Sequence, residues 1–173
     1  MPKFHEPVME LVRASMLPVP SGPQRRIDVP ARRVITQAAR ADDQAGTCEL
    51  VHMLAIGAAI CATDLTCVLA QHKNMAPEVY LEQVDDKALR DDDRACYRAV
   101  PVVRTLLLDD GLSSAAQLMA DLHYIDQDEF LDLILALGQH TAACVGIIAA
   151  LRISPVESTL AALELMLRDL GDD

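Results

Sequence analysis

Residues 50–72 read LVHMLAIGAAICATDLTCVLAQH, with Asp64 and two histidines as their only ionisable groups besides two thiols. Residues 133–151 read LILALGQHTAACVGIIAAL, with no Asp, Glu, Lys or Arg at all. Helices apolar on every side must be buried on every side, in a protein core or in lipid. These two stretches decide the fold class. They predict an all-α protein, a bundle of about five or six helices built around two highly apolar central ones.

Composition agrees. Apolar residues make up 51% of the 173-residue chain, yet aromatics only 3%, with no Trp. A core of Ala, Leu, Ile, Val and Met suits close helix packing, whereas strands favour β-branched and aromatic side chains. The length fits one domain with a sizeable core.

Around the central pair, start and stop signals delimit further helices. Thr47 is placed to cap the first buried helix. Pro77 stands at a first-turn position for a helix that continues as DDKALRDDDRACYRA until Pro101 kinks or breaks it. Ser114 with Gln117, and Asp126 with Glu129, form two capping-box patterns, the second opening the second buried helix. Ser154, Pro155 and Glu157 start a last helix. It carries Val156, Leu160, Leu163, Leu167 and Leu170 along one stripe.

The chain divides by charge and by proline. Six of the nine prolines fall within residues 1–30, and residues 1–40 carry a net +4 against −15 for the remainder. Residues 1–45 therefore read as a Pro-rich basic arm with short helices at about 6–16 and 31–41. Residues 46–173 form the bundle. An acidic body repels phosphate backbones, which argues against nucleic acid as its partner. Arg25, Arg26, Arg32 and Arg33 make the arm a surface for DNA or an acidic partner, or for the chain's own acidic body or a neighbouring subunit.

Both apolar runs meet the length test for crossing a bilayer. Each carries small residues at spacing four: Ala55, Ala59 and Thr63 in one, Ala142, Gly146 and Ala150 in the other. Asp64, His52, Gln139 and His140 would be costly in lipid, and aromatic belts are missing, so the expectation is a core rather than a membrane. One domain of this size has little chain with which to surround two such helices. Homo-oligomerisation would supply the missing cover. Five cysteines, an odd number, with no signal-like N-terminus point to reduced thiols in a cytoplasmic protein.

Candidate chemistry rests on two pairings. Cys48 and His52 are four apart on the first buried helix, and His140 and Cys144 are four apart on the second, so each pair shares a helix face. Together they supply the two sulfurs and two nitrogens of a tetrahedral zinc site, were the pairs to meet. Glu49-x-x-His52 also matches one half of a di-iron carboxylate motif, but no second half exists.

The other pairing is acidic. Glu129-x-x-Asp132, at the mouth of the second buried helix, resembles the second acidic motif of the all-α nucleoside triphosphate pyrophosphohydrolases. The resemblance covers about a dozen residues, and it implies Mg²⁺ held by these carboxylates against a triphosphate. The upstream acidic motif of that family is represented here only by Glu78 and Glu82. Asp85, Asp86 and Asp91 to Asp93 resemble the aspartate-rich motifs of isoprenoid synthases, but this chain is short and poor in aromatics. An exposed acidic face is the simpler reading.

The functional expectation is accordingly a non-catalytic, oligomeric interaction or regulatory protein. It would contact its partners through Leu160, Leu163, Leu167, the acidic 85–98 face and the basic arm. The alternative is a ligand- or metal-binding bundle, with zinc or Mg²⁺ as the candidate ion, extending to a Mg²⁺-dependent nucleotide hydrolase using Glu129 and Asp132.

Overall fold

The structure is a computed structural model, and it describes residues 3–18 and 29–171. Those residues form eight helices and no strand: α1 (His5–Ser15), α2 (Pro30–Ala45), α3 (Glu49–His72), α4 (Pro77–Asp91), α5 (Arg94–Leu106), α6 (Gly111–Ile125), α7 (Gln127–Ala150) and α8 (Val156–Gly171). Six of them, α3 to α8, lie in the segment expected to form the bundle, and the two apolar stretches are its central helices α3 and α7.

The central helices run in the same direction. His52 lies against Phe130 at one end, and further along the Thr141 hydroxyl, which donates to the Leu137 carbonyl of its own helix at 2.8 Å, lies 3.4 Å from the Ala58 carbonyl. Both helices have the length and apolar composition of a membrane span, and more than half of each apolar window is buried inside the chain. Each is surrounded by its own neighbours: α3 packs against α1, α2, α4, α5, α6 and α7.

Part of that cover comes from the segment read as an arm. Val8, Met9, Leu11 and Val12 of α1 are completely or almost completely buried. The helix approaches both central helices where they carry glycine. A Cβ at Gly57 would clash with the Val8 side chain, and one at Gly138 would lie 2.8 Å from the Ser15 hydroxyl. Gly146 has nothing within 4 Å, so the close approaches fall at Gly57 and Gly138 and not at the Ala142, Gly146, Ala150 series.

The helix boundaries follow local chemistry, with three departures from expectation. Asp126 caps α7 as its pattern predicts, its carboxylate accepting from the Glu129 N–H at 3.0 Å. The cap of α3, however, is not Thr47. Asp42, buried near the end of α2, accepts from the backbone N–H groups of Leu50 at 3.1 Å and Val51 at 2.9 Å. The Thr47 hydroxyl donates to the same carboxylate at 3.0 Å. Gly46, at φ 69°, supplies the left-handed turn that folds the chain back so Asp42 can reach.

The second departure is at Pro101, which does not end its helix. It sits exposed inside α5, and the break comes earlier, where Asp92 takes φ 51° and Asp93 caps Cys96. The third is α6, which starts at Gly111 after Asp110, three residues before Ser114.

Candidate functional site

The two Cys/His pairs do not meet; each acquires its own third residue. At the start of α3, Cys48 is the N-cap residue and His52 lies one turn on. His123, in the last turn of α6, turns its Nδ1 to within 2.8 Å of His52 Nε2, so one ring nitrogen donates and the other accepts. The donor atoms of Cys48, His52 and His123 all lie within 4.8 Å of one another. Phe130 backs both rings: its centroid is 4.6 Å from His123, nearly parallel at 17°, and 5.1 Å from His52. Burial, with the neighbouring His123, lowers the pKa of His52, while Asp42 pulls it the other way.

Halfway along α7 the second cluster is deeper. His140 and Cys144 are buried, and Cys96 of α5 lies half-buried beside them. Cys144 Sγ is 3.7 Å from His140 Nε2, and Cys96 Sγ is 4.0 Å from Nδ1 of the same ring. Burial holds His140 towards its neutral form against a weaker pull from Asp93. Desolvation, reinforced by Asp93 and Asp85, pushes the Cys96 thiol to about 11, and burial pushes Cys144 to about 12. The two thiols flank opposite nitrogens of one ring, which no single ion can bridge through that histidine.

This second cluster forms part of the wall of a cleft between α4, α5 and α7 with a volume of about 890 Å³. Tyr80, Val84, Ala88, Ala143 and Ile147 line it with apolar surface. Lys73, Lys87 and Arg90 face it together with Asp86, Asp91 and Asp93, so its formal charges cancel. Part of the acidic face anticipated at 85–98 is thus one side of a concavity.

The acidic pair of the pyrophosphohydrolase resemblance is engaged by arginines. Arg98 of α5 donates to both oxygens of Glu129, at 2.7 and 3.2 Å. Arg32 of α2 donates to Asp132 at 2.7 Å, with Arg98 3.9 Å from its other oxygen. Bidentate arginine pairing of this kind is among the stronger charge-assisted contacts. Here the carboxylates tie α2 and α5 to the start of α7. Glu78 and Glu82 are exposed on α4.

The residues expected to meet partners are distributed differently. Leu160, Leu163 and Leu167 are buried against the chain's own core, clustered with Val8, Met9 and Val145. Arg32 is spent on Asp132, Arg33 is exposed on α2, and Arg25 and Arg26 lie outside the described residues. Exposed apolar side chains occur on α8 itself at Leu165 and Leu170, and on α6 at Leu112, Leu118, Tyr124 and Ile125, among others.

Sequence reasoning missed His123 and Cys96. They stand 71 and 44 residues from the histidines they meet, and no local spacing links them. The chain matches no protein-family profile, and comparisons with characterised proteins and with solved structures find no significant match.

Proposed function

We propose that this chain is a non-catalytic regulatory bundle that binds a small organic molecule in the cleft between α4, α5 and α7. The observation that carries the reading is the cleft itself: apolar surface from Tyr80, Val84, Ala143 and Ile147, six charged side chains of balanced sign, and a buried histidine whose pKa burial lowers. This combination is typical of ligand sites. The balance of three cations and three carboxylates favours an uncharged or zwitterionic amphipathic ligand over a polyanion such as a nucleotide.

Binding rather than reaction is supported by the state of the candidate nucleophiles. Thiols at about 11 and 12 stay protonated near neutrality and are poor nucleophiles. Glu129 and Asp132 are held in ion pairs. The regulatory half of the reading places the protein in the cytoplasm, acting on a protein partner or a second copy of itself. Five free cysteines support the compartment, and the open apolar residues of α6 support the contact.

The test is a thermal-shift and native mass-spectrometry screen with the small-molecule fraction of a cell extract. The expected result is a bound mass and a raised Tm, both lost in Ala143→Trp, which fills the cleft, and both kept in Ser113→Trp on α6. Absence of any bound mass, or binding indifferent to Ala143→Trp, overturns the cleft reading.

A further inference from the structure

We propose that Cys48, His52 and His123 form a site for a divalent transition-metal ion of the zinc class, with one coordination position left to water or a ligand. The site is separate from the cleft and stands or falls without it.

The donor set is suited to such an ion. Two imidazole nitrogens and a thiolate select zinc, cobalt, nickel or copper over the oxygen-seeking Mg²⁺ and Ca²⁺. Three protein ligands with a vacant fourth position are the arrangement of zinc sites that exchange a ligand. The geometry is nearly in place. In a tetrahedral zinc site, neighbouring nitrogens stand roughly 3.3 Å apart and a nitrogen and sulfur roughly 3.6 Å apart, given the usual bond lengths. His52 Nε2 and His123 Nδ1 already face each other at 2.8 Å, and the three donors lie within 4.8 Å. Small side-chain rotations open the nitrogen pair and close the sulfur onto it.

The frame around the donors restrains them. Asp42 fixes the turn that carries Cys48 by accepting from Thr47, Leu50 and Val51. Phe130 stacks on the His123 ring and fixes its plane. Cys48 sits at the N-terminus of α3, and His123 lies in the last turn of α6, whose carbonyl end favours a cation.

Ion uptake balances simply. The thiol of Cys48 releases one proton to solvent as its sulfur binds the metal. The proton shared between His52 and His123 moves to a ring nitrogen facing away from the ion. No oxidant or reductant is involved.

The experiment is a titration of metal-free full-length protein with Co²⁺, followed by displacement with Zn²⁺. The expected result is one equivalent bound per chain, with thiolate-to-cobalt charge transfer and tetrahedral ligand-field absorption. Native mass spectrometry checks the stoichiometry. Cys48→Ser, at an exposed position, abolishes the charge-transfer band. His123→Asn weakens binding by about 100-fold or more, since even outer-shell losses cost 10- to 100-fold. Cys144→Ser leaves both the band and the affinity unchanged. No stoichiometric uptake overturns the proposal, as does a band that survives Cys48→Ser or one that disappears in Cys144→Ser with helicity intact.

Discussion

Two clusters of cysteine and histidine lie on the two parallel central helices, built from the same residue types at the same i,i+4 spacing, and they differ in nearly every property that governs chemistry. The first stands at a helix start, its thiol exposed and its two imidazoles facing each other. The second lies mid-helix, its histidine and one thiol buried, its two sulfurs on opposite sides of one ring. Spacing alone makes a set of donors. Where the lone pairs converge, and whether water can reach them, decides between a place for an ion and a fragment of packed wall.

The largest difference to test is thiol reactivity. At about 12, Cys144 is ionised to roughly one part in 10⁴ at pH 8, and it is 3% exposed. Cys48 is open to reagent. Labelling with a maleimide followed by peptide mass spectrometry is expected to modify Cys48 at least about 100-fold faster than Cys144. Comparable rates would show that α7 opens readily and would erase the contrast between the clusters.

Next in size is the consequence of removing Asp42, the support that only the first cluster has. Asp42→Ala leaves two α3 backbone donors and the Thr47 hydroxyl without their acceptor. A lost cap costs about 1 kcal/mol and charge-assisted bonds more, so chemical denaturation is expected to show a loss of about 2–3 kcal/mol. The cleft is expected to keep its shape, read as unchanged slow labelling of Cys144. A stability change below about 0.5 kcal/mol would mean that α3 caps itself by other means.

The same contrast explains what could be read from the sequence. Absence of charge over some twenty residues is a local pattern, so α3 and α7 could be placed directly. So could the Asp126 cap, three residues from the N–H it accepts. The cap of α3 was not legible, because Asp42 belongs to the preceding helix and reaches back through a turn at Gly46. The place of α1 in the core was partly legible: His5, Val8, Met9 and Val12 form a helical stripe. The prolines on either side are the local signal of a linker, and they carry no information on what covers that stripe. The spacing of Leu160, Leu163 and Leu167 puts them on one face, but nothing in a stripe says whether its cover is another chain or the α1 of its own. His123 joins its cluster only through the packing of α6 on α3, information carried by no short stretch of sequence.

The smallest expected effect is on the pH dependence of stability, and it belongs to the second cluster. Burial lowers the pKa of His140 below its ordinary 6.5, against a weaker opposing pull from Asp93. Between the folded and unfolded values, the unfolded chain binds a proton that the native state refuses. Stability therefore rises with pH across that window and is flat above about 6.5 as far as this residue is concerned. Acidification from pH 7 is expected to destabilise the protein, as the cost of protonating a buried imidazole between two neutral thiols is only weakly offset by Asp93. His52 acts in the same direction, since burial lowers it too, so the wild-type slope alone does not assign the effect. His140→Gln keeps a polar side chain of similar reach and removes the titration. Urea denaturation of wild type and variant at pH 7 and pH 5 is expected to show a smaller acid loss in the variant. Equal losses would place the acid sensitivity outside the second cluster, at His52 or at carboxylates such as Glu164.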